Sequence, residues 1–419
     1  MTQIQNLAPG VTLRCIQDSR FKHGALSIQL LRPLSRQEAA LNALLPAVLL
    51  RGCRGYADLR AVTLKLDDLY GASIGALVRK VGDYQTTGFY CSFTEDRFAM
   101  EGDAILEPLT AFAGKLLLEP LTENGAFLPA VVESEKTNLI STIESNLNNK
   151  RAYAMEKLMR SMCGDDPFGI PRLGEKEDVA AITPQALYAH YQKILSESPV
   201  QLFYVGSQDA DQVARLLKPL FPGRQAIALA PQTPFRGGQP SETSEALSVT
   251  QGKLCMSFVT PITIRDEDFV AMQMLNVVFG GGMTCKLFDT IREKLSLCYA
   301  IGSSYHGSKG ILTVSAGIDF EKEMQVRSEV LRLLQDCREG RISDEELTAA
   351  REALRTSLES VHDSPGAMEN FYASGALSGL KLSAQQYMQQ AMACTARDLA
   401  RVANTLQPHS VFFLKGVTA

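Results

Sequence analysis

The order of predicted secondary structure elements occurs twice along this chain, and this repeat restricts the possible folds more than any other feature of the sequence. Each half contains a strand, a helix, two strands, a long helical region and a closing apolar strand. In the first half these elements are predicted at 25–31, 35–50, 72–81, 86–93, 127–162 and 201–206. In the second half they are predicted at 254–259, 266–279, 300–305, 310–318, 344–361 and 411–416. A shared element order indicates duplication of one supersecondary unit.

We therefore predict an α+β fold of two homologous domains, each an antiparallel-rich β-sheet with helices packed on one face. The domains are predicted at 1–222 and 246–419, and the segment 223–245, rich in Pro, Gly, Ser and Thr, is predicted to be an exposed linker. A chain of 419 residues is also longer than one ordinary core requires. The alternative is that common element types coincide by chance.

Composition and charge exclude several classes of function. The chain has 42 basic and 46 acidic residues without a run of like charge, so we expect no nucleic-acid partner. It has no apolar stretch of membrane-spanning length, and its N-terminal segment lacks the apolar core of a signal peptide, so we expect no membrane and a cytoplasmic location. Its nine cysteines form no C-x-x-C pair, which favours reduced, mostly buried thiols.

No motif for a metal site or a catalytic nucleophile is complete. No two histidines have the spacing of metal ligands on one helix face; they are His23, His190, His306, His362 and His409. The serines near His306 have no G-x-S-x-G turn, and the triple glycine has neither P-loop nor dinucleotide-binding spacing. We therefore expect no catalytic residue, no metal and no cofactor.

The most specific local pattern lies in the second half. Gly280, Gly281 and Gly282 are followed by a short predicted helix at 287–294 that carries Arg292, and Tyr299 follows that helix. A guanidinium offers forked donors and a phenol one more, so both side chains can bind the backbone or a carboxylate of an extended peptide. The glycines are interpreted as a flexible turn. The simpler alternative is a solvated arginine, a strand-starting tyrosine and a helix C-cap.

Together, the repeat, the block FGGGMTCKLFDTIREKLSLCY and the segment VESEK at 132–136 resemble the insulinase-like peptidases, the M16 family of pitrilysin and the mitochondrial processing peptidase. The resemblance covers essentially the whole chain and implies the LuxS/M16-like metallopeptidase fold. Active members carry an inverted zinc motif, H-x-x-E-H, on the helix that corresponds to 35–50. Two histidines four residues apart can bind one zinc ion there, and the glutamate activates the bound water.

This zinc motif is degenerate here. Ala43 and Ala47 stand at the histidine positions and Pro46 stands at the glutamate position, and none of these side chains binds a metal or takes up a proton. Pro46 also predicts that the helix is kinked or begins afresh at that residue. The third zinc ligand of the family corresponds to Glu133, or to Glu135 in the alternative register, and we assign neither a metal role.

In the family, the arginine and tyrosine that match Arg292 and Tyr299 contact the substrate backbone near the scissile bond. The chain resembles the zinc-less YmfF-like branch, which implies a non-catalytic, substrate-positioning subunit of a heterodimeric zinc peptidase. Its partners would be a peptide substrate and an M16 subunit that carries H-x-x-E-H and the zinc. The competing hypothesis is a catalytically silent interaction or assembly protein of the same fold, possibly homodimeric. A third, an enzyme of unrelated chemistry, has no supporting constellation in the sequence.

Overall fold

The computed structural model describes residues 2–223 and 225–417; Met1, Arg224, Thr418 and Ala419 lie outside the described residues. The chain forms two compact units, each assembled from three segments. Unit 1 comprises Met1–Glu144, Ile170–Pro231 and His362–Ser374, and unit 2 comprises Ser145–Gly169, Gln232–Val361 and Gly375–Ala419. Each unit thus contains a segment from the opposite half of the chain. The compact units therefore do not coincide with the continuous stretches 1–222 and 246–419.

Strands and helices follow one another as the repeat predicts. The strands are β1 (Thr2–Ala8), β2 (Val11–Gln17), β3 (His23–Pro33), β4 (Ser73–Val81), β5 (Tyr84–Thr94), β6 (Thr122–Glu123), β7 (Ala126–Phe127), β8 (Val200–Gly206), β9 (Glu242–Leu247), β10 (Gly252–Val259), β11 (Cys298–His306), β12 (Ile311–Ile318) and β13 (Gln407–Gly416). The α-helices are α1 (Arg36–Leu49), α2 (Leu59–Asp67), α3 (Leu106–Leu118), α4 (Pro129–Asn148), α5 (Lys150–Cys163), α6 (Lys176–Ala181), α7 (Pro184–Glu197), α8 (Ala210–Leu217), α9 (Phe269–Gly280), α10 (Glu323–Arg338), α11 (Asp344–Glu359), α12 (Pro365–Ser378), α13 (Ala384–Ala393) and α14 (Ala396–Ala403). No helix among the described residues is long and apolar enough to cross a membrane.

The two large sheets have the same topology, which confirms the predicted α+β fold and its duplication. The sheet of unit 1 has the strand order β1-β2-β8-β3-β5-β4, and the sheet of unit 2 has the order β9-β13-β10-β12-β11. If β1 is set aside, the strands correspond one to one. Each sheet also has a single parallel pair at the same place, β2 with β8 and β9 with β13, while the other neighbours are antiparallel.

In unit 1, the exchanged segment 362–374 lies on the face of the sheet opposite to the main core. Side chains alternate along a strand, so Leu26 points into the core while Ser27 and Gln29 point the other way. Both polar side chains donate to Glu369 Oε1, Ser27 Oγ at 2.6 Å and Gln29 Nε2 at 3.1 Å. Arg79 forms a bidentate ion pair with the fully buried Glu369: its Nη1 donates to Oε1 at 2.9 Å and its Nη2 donates to Oε2 at 2.6 Å. A buried carboxylate with four donors anchors this segment.

In unit 2, the exchanged helix α5 covers the corresponding face. Ala154 and Leu158 pack against Cys255, Phe412 and Leu414 of the two central strands. Each sheet therefore acquires its second layer from the other half of the sequence. This packing is the physical reason why neither compact unit is a continuous stretch of chain.

The predicted linker differs from the structure at its C-terminal end. Residues 242–245 belong to β9, which pairs in parallel with β13 from Glu242 opposite Val411 onward. Upstream, Gln232 is buried and its Nε2 donates to the carbonyl of Leu377 at 2.8 Å. Backbone pairing and this amide contact hold much of the segment against unit 2, although its composition resembles that of an exposed linker.

Helix α1 is a single helix, so the expectation that a new helix begins at Pro46 is wrong. Ser35 caps its start and accepts the N–H of Glu38, as the sequence predicts. Pro46 has no N–H to donate to the carbonyl of Asn42, four residues earlier. The hydroxyl of Thr87 on β5 donates to that carbonyl instead, at 2.7 Å. A tertiary hydrogen bond thus replaces the helical one that the proline removes.

The buried side chain of Asn42 extends this link between α1, the sheet and α7. Its Nδ2 donates to Gln85 Oε1 at 2.9 Å, and its Oδ1 lies 2.7 Å from His190 Nε2. An amide oxygen only accepts, so His190 must carry its proton on Nε2. Burial lowers the pKa of His190 from its ordinary value to about 4. The imidazole is therefore neutral in the folded protein at neutral pH.

We predict that acid destabilises the protein through His190. Its pKa is lower in the folded state than in the unfolded state, so its contribution is complete above the unfolded pKa and is lost as pH falls from there toward the folded pKa. Between about pH 7 and about pH 5 the loss of unfolding free energy is about 2 kcal/mol. Urea unfolding of the protein and of His190→Gln at both pH values measures it, because glutamine keeps a donor for Asn42 but does not titrate. Equal pH dependence in the two proteins would contradict the prediction.

Candidate functional site

One side of α1 carries the degenerate zinc motif. Ala43 and Ala47 lie four residues apart, and Arg51 follows at the same spacing just beyond the end of the helix, so the three lie along one side. Ala43 is buried and Ala47 is half-buried. The two motif positions that would hold histidines therefore present only methyl groups.

Arg51 is a residue of this region that the sequence analysis missed. Its Nε and Nη2 contact Oε1 of Glu135 on α4, and Asn138 Nδ2 lies 3.3 Å from both oxygens of that carboxylate. Glu133 instead is mostly exposed and pairs with Lys136 Nζ at 2.9 Å. The carboxylate that faces this side of α1 is therefore Glu135, the alternative register, and not Glu133. The four-residue spacing after Ala47 is the only sequence signal that could have indicated Arg51.

The residues present do not fit a zinc ion. Ala43, Pro46 and Ala47 have no donor atoms, and the one carboxylate beside them is bound by the Arg51 guanidinium. A catalytic zinc ion needs three protein ligands. Among the described residues, no group of three or more His, Cys, Asp or Glu side chains is arranged to hold a metal ion. A fixed positive charge thus lies against the carboxylate that a metal ion would require.

The predicted helix at 287–294 is a π-helix, Phe288–Lys294, and it carries Arg292. The N–H of Leu295 donates to Thr290 O, five residues back, at 3.0 Å. Such wide turns are rare and frequently mark functional sites. The sequence predicted a helix here but gave no sign of its wider turn.

Arg292 is held by an aromatic ring and keeps its donors unused. Its guanidinium carbon lies 4.5 Å from the centre of the Phe288 ring, which stabilises the cation by its π face. Glu293 Oε1 is 3.6 Å from Arg292 Nε, beyond hydrogen-bonding distance. The side chain is 42% exposed, and within residues 2–223 and 225–417 it makes no hydrogen bond. An oriented cation with free forked donors can bind a peptide carbonyl or carboxylate.

Tyr299, at the start of β11, is 60% exposed. Its hydroxyl donates to Asp319 Oδ1 at 2.9 Å, and this hydrogen bond raises the pKa of Tyr299. Asp319 is also paired with Lys322 at 2.9 Å. The hydroxyl oxygen can still accept a peptide N–H, whereas donation to a peptide carbonyl requires the bond to Asp319 to break. Tyr299 is therefore oriented before any ligand binds.

Arg292 and Tyr299 lie at the same end of β11. Burial raises the pKa of the Cys298 thiol, next to Tyr299, to about 11, and the positive charge of Arg292 opposes that rise. The charge of Arg292 therefore acts on the residue that adjoins Tyr299. Arg292 thus lies near the start of β11, where Tyr299 also lies, while the motif at Ala43, Pro46 and Ala47 lies in unit 1.

The three glycines differ from one another, and they are not simply a flexible turn. Gly280 is the last residue of α9, and a Cβ there would lie 2.5 Å from Ser303 Oγ and 2.7 Å from Ser303 N. Gly281 is the C-cap, and a Cβ there would lie 2.8 Å from Val277 Cα. Gly282 has open space around it. The first two glycines allow close packing of α9 against β11 and its own preceding turn.

We predict that an alanine substitution destabilises the protein at Gly280 but not at Gly282. Gly280→Ala should lower the free energy of unfolding by about 1–3 kcal/mol, because the methyl group meets the backbone of β11. Gly282→Ala, the matched control, should change it by less than about 0.5 kcal/mol. Denaturant unfolding of both variants measures the difference. Equal stability of the two variants would show that the close approach at Gly280 is not a constraint.

Comparison with known proteins gives consistent similarities along the chain. A family profile described as "Peptidase M16 inactive domain" matches residues 181–354. The "Probable inactive metalloprotease YmfF" of Bacillus subtilis (strain 168) is 27% identical over 418 residues, which are 99% of this chain and 98% of that protein. The crystal structure of a conserved protein from Enterococcus faecalis V583 is 28% identical, covers 100% of this chain and 99% of its own, and superposes with a TM-score of 0.90. A peptidase M16 inactive domain from Pseudomonas fluorescens, 18% identical with a TM-score of 0.82, covers 100% of this chain and 99% of its own and shares the fold.

Proposed function

Because this chain belongs to the M16, insulinase-like peptidase family and is an inactive homologue within it, we propose that it positions peptides for a zinc-bearing M16 partner chain. The partner would carry the H-x-x-E-H motif and supply the metal chemistry. This chain would supply Arg292 and Tyr299. The pair of chains would be a heterodimeric peptidase in which neither chain acts alone.

The observation that carries this proposal is the state of Arg292. The Phe288 ring holds the guanidinium, yet its forked donors make no hydrogen bond with a described residue. An arginine that only made the surface soluble would need no aromatic ring to fix the direction of its guanidinium. Donors oriented in advance stabilise negative charge on a peptide carbonyl oxygen at little cost in reorganisation. Tyr299, aligned by Asp319, adds a second polar contact to an extended peptide.

The side of α1 that carries Ala43, Ala47 and Arg51 supports the part of the proposal that this chain is not catalytic. Ala43 and Ala47 provide no ligand, and the ion pair of Arg51 with Glu135 satisfies the remaining carboxylate. With no general base at Pro46, the chain has no group in this motif to activate water. We therefore expect it to bind a peptide without cleaving it.

The proposal includes a cytoplasmic location. All nine cysteines are buried thiols. Burial raises the pKa of Cys15, Cys91 and Cys255 to about 12 each, so these groups stay protonated and unreactive at neutral pH. Many buried thiols suit a reducing compartment.

We predict that the chain, mixed with an H-x-x-E-H chain of similar length from the same genome, cleaves peptides that neither chain cleaves alone. In that mixture Arg292→Ala should lower kcat/KM by about 10–100-fold, because a charge-assisted hydrogen bond contributes about 1.5–3 kcal/mol. Tyr299→Phe should lower it less. A fluorogenic peptide assay measures the rate, and gel filtration tests whether the two chains still associate.

Lys294→Ala is the matched control, since it removes a positive charge from the same π-helix without touching the Phe288 contact. It should leave the rate unchanged. If Arg292→Ala and Tyr299→Phe also leave the rate unchanged while the chains associate, the positioning role is wrong and the interaction or assembly hypothesis is favoured.

A further inference from the structure

Two basic side chains of unit 2 lie close together on the face of the sheet that α5 covers. Arg151, in the first turn of α5, is exposed and its Nε donates to Ser315 Oγ on β12 at 2.9 Å. Lys253, on β10, is half-buried and its Nζ contacts Gln251 Oε1. Both are therefore held in place by neutral oxygens.

No acid balances these two charges. Among the described residues, no carboxylate forms an ion pair with Arg151 or Lys253, whereas Lys157 on the same helix pairs with Glu245 at 3.1 Å. Burial lowers the pKa of Lys253, and repulsion by the charge of Arg151 lowers it further. Two adjacent cations without a counterion are unfavourable in a folded protein unless an anion binds there.

Two glycines lie beneath the two cations, one for each. A Cβ on Gly302 would lie 3.9 Å from Arg151 Nη2, and a Cβ on Gly317 would lie 2.8 Å from Gln251 Oε1 and 3.3 Å from Lys253 Nζ. Gly317 stands opposite Lys253 and Gly302 opposite Ser315 in the strand register. The lack of a Cβ at both positions leaves room for the two cationic side chains and for the Gln251 amide that contacts Lys253.

The spacing suits a carboxylate. Ser315, which anchors Arg151, and Gly317, beneath Lys253, are two residues apart on β12, or roughly 7 Å. A carboxylate that accepts a hydrogen bond of about 2.8 Å from each cation spans a similar distance. Gly302 is also on β11, three residues from Tyr299, or roughly 10 Å along the strand. A peptide of about four residues extended along β11 spans the distance from Tyr299 to Gly302.

We propose that Arg151 and Lys253 form a carboxylate-binding subsite, so that this chain prefers acidic peptides. The inference rests on the proposed function, since it names the class of peptide held at the same site. The carboxylate belongs to an acidic side chain or to the C-terminus of the peptide, and the two sources can be distinguished by the choice of probe.

The test uses short fluorescein-labelled peptides of one length and the full chain. One probe has glutamate side chains and an amidated C-terminus, a second has glutamines and a free C-terminus, and a third has glutamines and an amidated C-terminus. Fluorescence anisotropy gives the affinity of each. We expect a probe with a carboxylate to bind about tenfold or more tightly than the third probe, and this preference to weaken with added salt. The probe that binds best identifies the source of the carboxylate.

Lys253→Gln and Arg151→Gln should each abolish most of this preference while leaving the affinity for the neutral probe unchanged, which also shows that the variants fold. Lys157→Gln, which removes an equal charge from α5, should keep the preference. Equal binding of all three probes to the wild-type chain, or equal losses in Lys157→Gln, overturns the subsite but leaves the proposed function standing. Failure of the wild-type chain to bind any probe would refute both.

Discussion

Hydrogen bonds of the backbone carbonyl and side chain of Asn42 hold α1, which carries the degenerate zinc motif, against the sheet and α7 of unit 1. Pro46 leaves that carbonyl without its helical donor, and Thr87 on β5 supplies one. The amide meanwhile binds His190 and Gln85, so that α1, the sheet and α7 are tied at a single buried residue. A proline inside a helix otherwise leaves that carbonyl without its helical donor. These hydrogen bonds therefore fix α1, the helix in which an active relative would carry its metal ligands.

The charged side chains at the candidate sites have different partners in the two units. In unit 1, Arg51 neutralises Glu135, so this carboxylate beside α1 needs no metal ion. In unit 2, Arg292, Arg151 and Lys253 lack hydrogen-bonded acid partners among the described residues, while Phe288, Ser315 and Gln251 hold them. At these sites, unit 1 pairs a cation with a carboxylate, whereas unit 2 holds three cations against an aromatic ring and two neutral oxygens. That contrast is the basis on which we propose that this chain binds a peptide.

Local patterns in the sequence predicted most of the fold. The duplicated element order, the Ser35 cap and the central strands β3 and β10 follow from periodicity and capping chemistry, which act over a few residues. The exchange of segments 145–169 and 362–374 could not be predicted, because it depends on which face of a distant sheet remains uncovered. The strand β9 escaped prediction for the same reason, since its pairing with β13 is nonlocal. At the site, Arg292 and Tyr299 came from a local pattern and from the family resemblance, whereas Arg51, Arg151 and Lys253 match no motif and only the structure reveals their surroundings.

The most direct test of the central claim is the metal content of the purified chain. The protein should be incubated with zinc, freed of unbound metal and analysed by mass spectrometry, alongside an M16 relative that carries H-x-x-E-H. We expect zinc well below one ion per chain and no peptide cleavage, because Ala43, Pro46 and Ala47 provide no ligand and Arg51 holds Glu135. One zinc ion per chain, removed by a chelator together with peptidase activity, would contradict it.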